Sequence, residues 1–342
     1  MEKKVLSTIK EHDLLEKGKK YNLVLGFSGG PDSLALFSCL FELSKAFQKT
    51  KGKYGYDLVI WPVHVNHMLR GDDAERDMRF CEDFSKSLFR AYPDMVKPCR
   101  TVVFDCSAYA KENHMTDEEA GRKVRYDSFY ETAKELENPV ICTAQNMNDQ
   151  AETVLMRIIR GTGLNGLTGI PYMRYERDIP VIRPLLKTER SDIEEYLKEK
   201  NLTPCIDHTN SEEIYMRNRV RLSVIPELKS LNPSVLDSLV RLTDALSPVN
   251  EYMKAERDRF LSKVDGTEIH VKELEGIHQA LRYEIYMGLL ERAGMTENIT
   301  MLNLKKIDSL LGPTDHKVTV IELSGGFRVT KEKKILSFFK EV

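Results

Sequence analysis

This 342-residue chain has no cysteine pair in C-x-x-C spacing. Its six cysteines, Cys39, Cys81, Cys99, Cys106, Cys142 and Cys205, are scattered, which argues against a four-cysteine zinc site and against a disulfide framework. Free thiols in a reducing compartment fit that distribution. No apolar run approaches a membrane span, and the charged start Met1-Glu2-Lys3-Lys4 lacks the apolar stretch of a secretory signal. The expected location is cytoplasmic, with no membrane partner. A basic excess is missing too: 51 Lys and Arg stand against 53 Asp and Glu, leaving a net charge of −2. Any nucleic acid must therefore be met by a local patch. No G-x-x-x-x-G-K-[ST] occurs, so a phosphate-binding loop here has no lysine of its own.

What is present centres on the stretch from Leu23 to Phe37. An apolar run ends in Ser28-Gly29-Gly30-Pro31-Asp32-Ser33, and a second apolar run with helical spacing follows. That order predicts a strand, a tight loop and a helix start. Bare backbone N–H groups and two hydroxyls at a helix N-terminus favour phosphate. Pro31 suits the first helical position, where its missing N–H costs nothing. The plain alternative is a strand-to-helix turn with an Asp or Ser cap.

Strands alternate with helices over the first half. Strands are expected near 57–65, 100–104 and 139–143, and helices near 74–91, 117–136 and 150–160. This predicts an α/β fold with a parallel sheet covered on both faces, and the Ser28–Ser33 loop at the strand end where such sheets bind ligands. The glycine-rich run 161–169 contains a G-x-G-x-x-G match, but it follows a helix instead of a strand and reads as a flexible loop or lid. Beyond Pro226 the character changes. Helices are expected over 236–264, interrupted at Pro248, and over 277–292 and 301–311. A hairpin follows, turning at Ser324-Gly325-Gly326. The boundary falls near 225–232, giving a catalytic domain over 1–226 and a smaller, mainly helical domain over 227–342.

Five further groups carry chemistry. Asn66 and His67 follow the second strand, in His64–Gly71. Arg122 and Arg125 share a helix face. Asp149 and Glu152, three apart, can face one point and suit Mg²⁺ with phosphate oxygens. An acid-rich helix start is the ordinary alternative. Arg217, Arg219 and Arg221, and a tail with Arg328, Lys331, Lys333, Lys334 and Lys340 beside Phe327, Phe338 and Phe339, combine cations and aromatics as RNA binding requires. A lysine-protected edge strand would look similar.

The loop resembles the pyrophosphate loop of the N-type ATP pyrophosphatases. Together with His64–Gly71, Arg122–Tyr126, Asp149–Thr153, Arg160–Gly169 and Arg217–Arg219, in that order, it resembles the tRNA(Ile)-lysidine synthetase family over roughly 20–230, and more loosely beyond. One run departs from that pattern. The family's His-rich, doubly acidic run reads Ala144-Gln145-Asn146-Met147-Asn148-Asp149 here, keeping only the second acid. The resemblance implies a PP-loop domain of the adenine-nucleotide α-hydrolase-like type, and an ATP-dependent ligase. That ligase would adenylate the C2 oxygen of the wobble cytidine of tRNA(Ile) with a CAU anticodon and then join L-lysine to C2, releasing AMP and pyrophosphate. ATP would lie on Ser28, Gly29, Gly30, Pro31, Asp32 and Ser33, and Mg²⁺ on Asp149 and Glu152. Catalytic roles would fall to Asp32, Asn66, His67, Arg122, Asp149 and Glu152. A homodimer is left open. The alternatives are a PP-loop tRNA thiolase, which would need cysteines such as Cys142 and Cys205, or a non-catalytic nucleotide- and RNA-binding module.

Overall fold

A computed structural model of the chain describes residues 1–49, 56–68, 71–205, 216–296, 298–312 and 318–341. Residues 69–70 of the His64–Gly71 motif lie outside the described residues. The chain divides into two compact units, 1–160 with 169–241, and 161–168 with 242–342.

In the first unit the elements run α1 (Glu2–Glu11), β1 (Lys20–Gly26), α2 (Pro31–Lys49), β2 (Asp57–Asn66), α3 (Asp72–Ala91), β3 (Arg100–Val103), α4 (Cys106–Glu112), α5 (Asp117–Ala133), β4 (Pro139–Cys142) and α6 (Met147–Arg160). After the short α7 (Leu164–Leu167), which belongs to the second unit, come β5 (Met173–Glu176), β6 (Ile179–Ile182), α8 (Arg190–Glu199), α9 (Met216–Arg219) and α10 (Ile225–Leu231). The sheet order is β3-β2-β1-β4-β6-β5. All neighbours are parallel except the β5–β6 hairpin, which the sequence pattern does not reveal. Its strands are four residues each, too short to show an alternating pattern.

Side chains along β1 alternate between two cores. Leu23 and Leu25 join one with Leu36, Leu40 and Ile193, and Val24 joins the other with Val63, Phe129 and Val181. Each such fully buried aliphatic contributes about 1.5–3 kcal/mol. α2 begins at Pro31, as its position predicts. Thr116 and Glu119 form the reciprocal capping pair that starts α5. The chain leaves β1 toward β2 and β3, then returns to pair β4 on β1's other side. The crevice at the carboxyl ends of β1 and β4 is therefore the switch point where open α/β sheets bind ligands.

The second unit holds the C-terminal part of α11 (Val235–Leu261), then β7 (Glu268–His270), α12 (Gln279–Arg292), α13 (Met301–Ser309), β8 (Thr319–Glu322), β9 (Phe327–Glu332) and β10 (Ile335–Lys340). Its antiparallel sheet, ordered β7-β10-β9-β8, packs with α12 and α13 around Leu289, Ile307, Val329, Leu336 and Phe338. The hairpin through Ser324–Gly326 forms as expected.

Two expectations shift. α11 runs unbroken through Pro248, where the sequence suggests an interruption. Beside the proline, the Ser247 hydroxyl donates to the Thr243 carbonyl one turn back at 2.8 Å. The unit division falls after Arg241, not near 225–232, because Leu236 and Val240 pack on Met147, Ala151, Val220 and Ile225.

Candidate active site

The loop after β1 closes on itself through hydroxyls. Ser28 N–H donates to Ser33 Oγ at 3.2 Å, the Ser28 and Ser33 hydroxyls lie 3.1 Å apart, and Ser33 Oγ–H donates to the Gly30 carbonyl at 3.0 Å. Gly29 takes φ +81°, and a Cβ there would sit 3.1–3.3 Å from Phe80, Cys205 and Cys81. Both the conformation and the crowding call for glycine. Cys205 N–H donates to the Gly29 carbonyl at 3.0 Å. His64, buried at the end of β2, places Nδ1 2.9 Å from the Phe27 carbonyl. An acceptor there requires Nδ1 to carry the proton.

Across the crevice, the segment after β4 supplies what the resemblance left open. Asn146, 3% exposed, donates Nδ2–H to Asp32 Oδ1 at 3.0 Å. Its Oδ1 accepts from the N–H groups of Asn148 and Asp149 at 2.9 and 3.1 Å, and its own N–H donates to Asp149 Oδ2 at 3.0 Å. Asn146 thus starts α6 and ties it to the Ser28–Ser33 loop.

Three carboxylates and three arginines meet here. Asp32 Oδ2 accepts from Arg190 Nη1 at 2.9 Å. Asp149 Oδ1 accepts from Arg217 Nη2 at 3.0 Å. Glu152 has no exposure and accepts from Arg217 Nε at 2.7 Å and from Arg221 Nε and Nη2 at 2.6 and 3.1 Å. Arg217 and Arg221 reach one carboxylate because they are four residues apart, across the boundary between α9 and a turn of π-helix over Val220–Val224. Composition alone suggests RNA for these arginines; their i, i+4 spacing is the signal for a shared target. Burial pushes the Asp32 carboxyl up to about 6; Arg190 opposes the shift and Asp149 adds to it. Burial also holds Asp149 above the ordinary range, against the pull of Arg217.

The fit to a metal follows from these contacts. Glu152 does not fit as a Mg²⁺ ligand: it is sealed from solvent and both oxygens carry guanidinium hydrogens. Among the described residues no group of three His, Cys, Asp or Glu side chains could hold a metal ion.

The remaining expected residues fall around this centre. Asn66 is buried and spends Oδ1 on Met68 N–H at 2.9 Å, shaping a turn in which Met68 takes φ +58°. His67 Nδ1 lies 3.0 Å from Cys106 Sγ. The Arg122 guanidinium lies 4.9 Å from the Tyr126 ring centre, and Arg174 lies 4.6 Å from the same ring. Cys142 is fully buried in β4 and burial raises its thiol, so it does not offer the reactive thiolate a thiolase would need. Gln150 pairs with Ile170 through both amide atoms. It packs so close to Gly169 (φ +65°) that a Cβ would come within 2.5 Å of its oxygen.

In the second unit the basic tail is largely spent on the fold. Lys331 is buried and donates to the Leu310 and Gly312 carbonyls at 2.6 and 2.9 Å. Arg328 pairs with Glu322 and Glu341, and Phe327 and Phe338 are buried. Lys333, Lys334, Phe339 and Lys340 face outward. Of the tail residues named from the sequence, Phe327, Lys331 and Phe338 therefore lie inside the fold and not on its surface.

A family profile described as a PP-loop domain matches residues 1–228. A curated tRNA(Ile)-lysidine synthase of Clostridioides difficile is 37% identical over 319 residues, covering 90% of this chain and 64% of its own length. Its counterpart in Caldanaerobacter subterraneus subsp. tengcongensis is 37% identical over 326 residues, covering 93% and 65%. One from Clostridium perfringens is 38% identical over 271 residues, covering 79% and 53%. The chain thus spans less than two thirds of the length of these relatives.

Proposed function

The chain belongs to the PP-loop family, and from that premise we propose that it is an ATP-dependent ligase that forms lysidine at the wobble cytidine of tRNA(Ile) with a CAU anticodon. The observation that carries the reading is the Ser28–Ser33 loop, closed by its own hydroxyls at the switch point and bonded through Asp32 to the start of α6. The name of the relatives supplies the substrate.

In the first step the cytidine C2 oxygen bonds the α-phosphorus of ATP as the bond to pyrophosphate breaks. The loop's N–H groups and hydroxyls receive the leaving pyrophosphate. In the second step the amine of free lysine bonds C2, the C2–O bond breaks, and AMP leaves with that oxygen. The amine must lose a proton. Asp149 fits as its acceptor better than Glu152. Its side chain is 20% exposed and burial raises its proton affinity, whereas Glu152 is enclosed by two arginines. Arg122 would hold the lysine carboxylate. His67 and Asn66 would shape the wall beside it. Mg²⁺, when it accompanies ATP, would neutralise phosphate charge, and of the expected carboxylate pair only Asp149 retains the exposure to face it.

The test is a purified reaction with ATP, radiolabelled lysine and a tRNA(Ile) transcript bearing CAU. Lysine enters the tRNA with one pyrophosphate released per lysine, and a transcript with uridine at the wobble position takes none. Pyrophosphate release without lysine transfer, or transfer independent of the wobble base, overturns the reading.

A further inference from the structure

We propose that Arg190 is the phosphate-binding cation of this site, supplying the charge that the loop's own sequence lacks, with Asp32 as the residue that positions it. The inference rests on the phosphate-loop reading given under the proposed function. A loop without lysine must draw a cation from elsewhere to match a tri- or pyrophosphate. Three arginines are at hand, and they are committed differently. Arg217 and Arg221 direct their hydrogens at Glu152 and Asp149, and Glu152 is fully buried. Removing either arginine from that pairing would leave a buried carboxylate short of partners.

Arg190 is not bound in that way. Its Nη1 donates to Asp32 Oδ2 at 2.9 Å, and its Nε donates to Glu194 Oε1 at 3.2 Å, an exposed neighbour one turn along α8. A guanidinium has five N–H donors, so three have no protein acceptor among the described residues. The side chain is 41% exposed. It is nonetheless fixed at both ends. Its backbone N–H donates to Asn148 Oδ1 at 3.0 Å, at the start of α6. Its partner Asp32 is held at the other oxygen by Asn146. An arginine that is pre-positioned and only partly satisfied, beside a phosphate-shaped loop, loses little freedom on gripping a phosphate through its planar fork. Asp32, with both oxygens engaged, acts through Arg190.

The experiment measures binding of inorganic pyrophosphate to the full chain by calorimetry, in magnesium-containing buffer. Arg190→Gln should weaken binding at least about tenfold with an unchanged circular dichroism spectrum. Arg190→Lys, which keeps the charge and loses the fork, should weaken it several-fold. Asp32→Asn, which frees the guanidinium without removing it, should weaken it less than Arg190→Gln. If Arg190 only staples α8 to the loop, Arg190→Gln and Asp32→Asn lower thermal stability together while pyrophosphate affinity stays within about twofold, and the proposal fails. Should Arg190→Gln not fold, undiminished binding by Arg190→Lys overturns the proposal. A parent chain that does not bind pyrophosphate overturns the phosphate-loop reading itself, and with it this inference.

Discussion

Asp149 in the first unit and Asp308 in the second are both acids mostly shielded from water and paired with arginine, yet they shift in opposite directions. Asp308 takes a two-pronged grip from Arg282, Nε to Oδ1 at 2.7 Å and Nη2 to Oδ2 at 2.8 Å. It also accepts from the Tyr286 hydroxyl and from Gln279. Burial works against its charge, but those bonds hold its carboxyl below the usual range. Asp149 receives one arginine hydrogen at 3.0 Å and shares Arg217 with Glu152, and burial prevails. The first pair is arranged for the fold. The second keeps an acid whose proton affinity stays high, which stability alone would not select and proton transfer can use.

The largest expected effect comes from stripping the arginines. The double change Arg217→Ala with Arg221→Ala leaves Glu152 charged, buried and alone, and should lower unfolding free energy by about 3–5 kcal/mol. Adding Glu152→Gln should restore a good part of it. Urea denaturation of the three chains decides. Were Glu152 a metal ligand held for catalysis, the arginine changes would instead leave stability near the parent's.

Next is the acid pair itself. On the proposed lysidine-forming reading, Asp149→Asn should slow lysine transfer by about 100-fold, close to 2.7 kcal/mol of transition-state stabilisation, with little loss of stability. Asp308→Asn should do the reverse, costing about 2 kcal/mol of stability and leaving the rate at saturating substrate unchanged. Equal effects of the two substitutions on rate would erase the distinction between the units.

Lys331→Met should cost about 1–2 kcal/mol, because two carbonyls at the end of α13 are left without their donor. The salt dependence of tRNA binding should not move. If the second unit meets RNA phosphates, Lys333→Ala with Lys334→Ala should flatten that dependence by about one unit of slope for each phosphate left without its lysine. A slope that changes with Lys331 would place that ammonium on the surface.

How much of this picture is legible in the sequence depends on which forces are local. The β1–loop–α2 start, the Thr116 cap and the Ser324–Gly326 hairpin can be read because each is set by neighbours within a few residues. The carboxylates can be found as residues, but not their partners. Arg190 lies 158 positions from Asp32, and Asn146 lies 114, so no spacing rule connects them. Lys331 reads as surface because lysine is seldom buried. Its ammonium is paired with the carbonyls of Leu310 and Gly312, just past the end of α13, which only the tertiary fold brings within reach.

The smallest effect, and the one that most sharpens the contrast between the units, is a pH-dependent one at Asp32. Its folded pKa, about 6, lies above the value near 3.9 expected in the unfolded chain. The folded protein therefore holds that proton more tightly. Its contribution to stability falls as pH rises from about 4 through about 6, and the cost of the charge is complete above that window. Asparagine mimics the neutral form at every pH. Asp32→Asn should thus melt higher than the parent at pH 8, by about 2–4 °C, equivalent to roughly 1 kcal/mol once partial solvent access is allowed for. The two melting points should converge by pH 4. Asp308→Asn should behave oppositely: its folded pKa is depressed, so the lost stability is fully felt at neutral pH and fades as pH drops through the folded pKa. Thermal melts of both variants from pH 4 to pH 8 make the comparison directly. If Asp32→Asn proved less stable than the parent at pH 8, its ion pair with Arg190 would be a structural bond like that of Asp308, and the loop's carboxylate would not be a charge held against the fold's own preference.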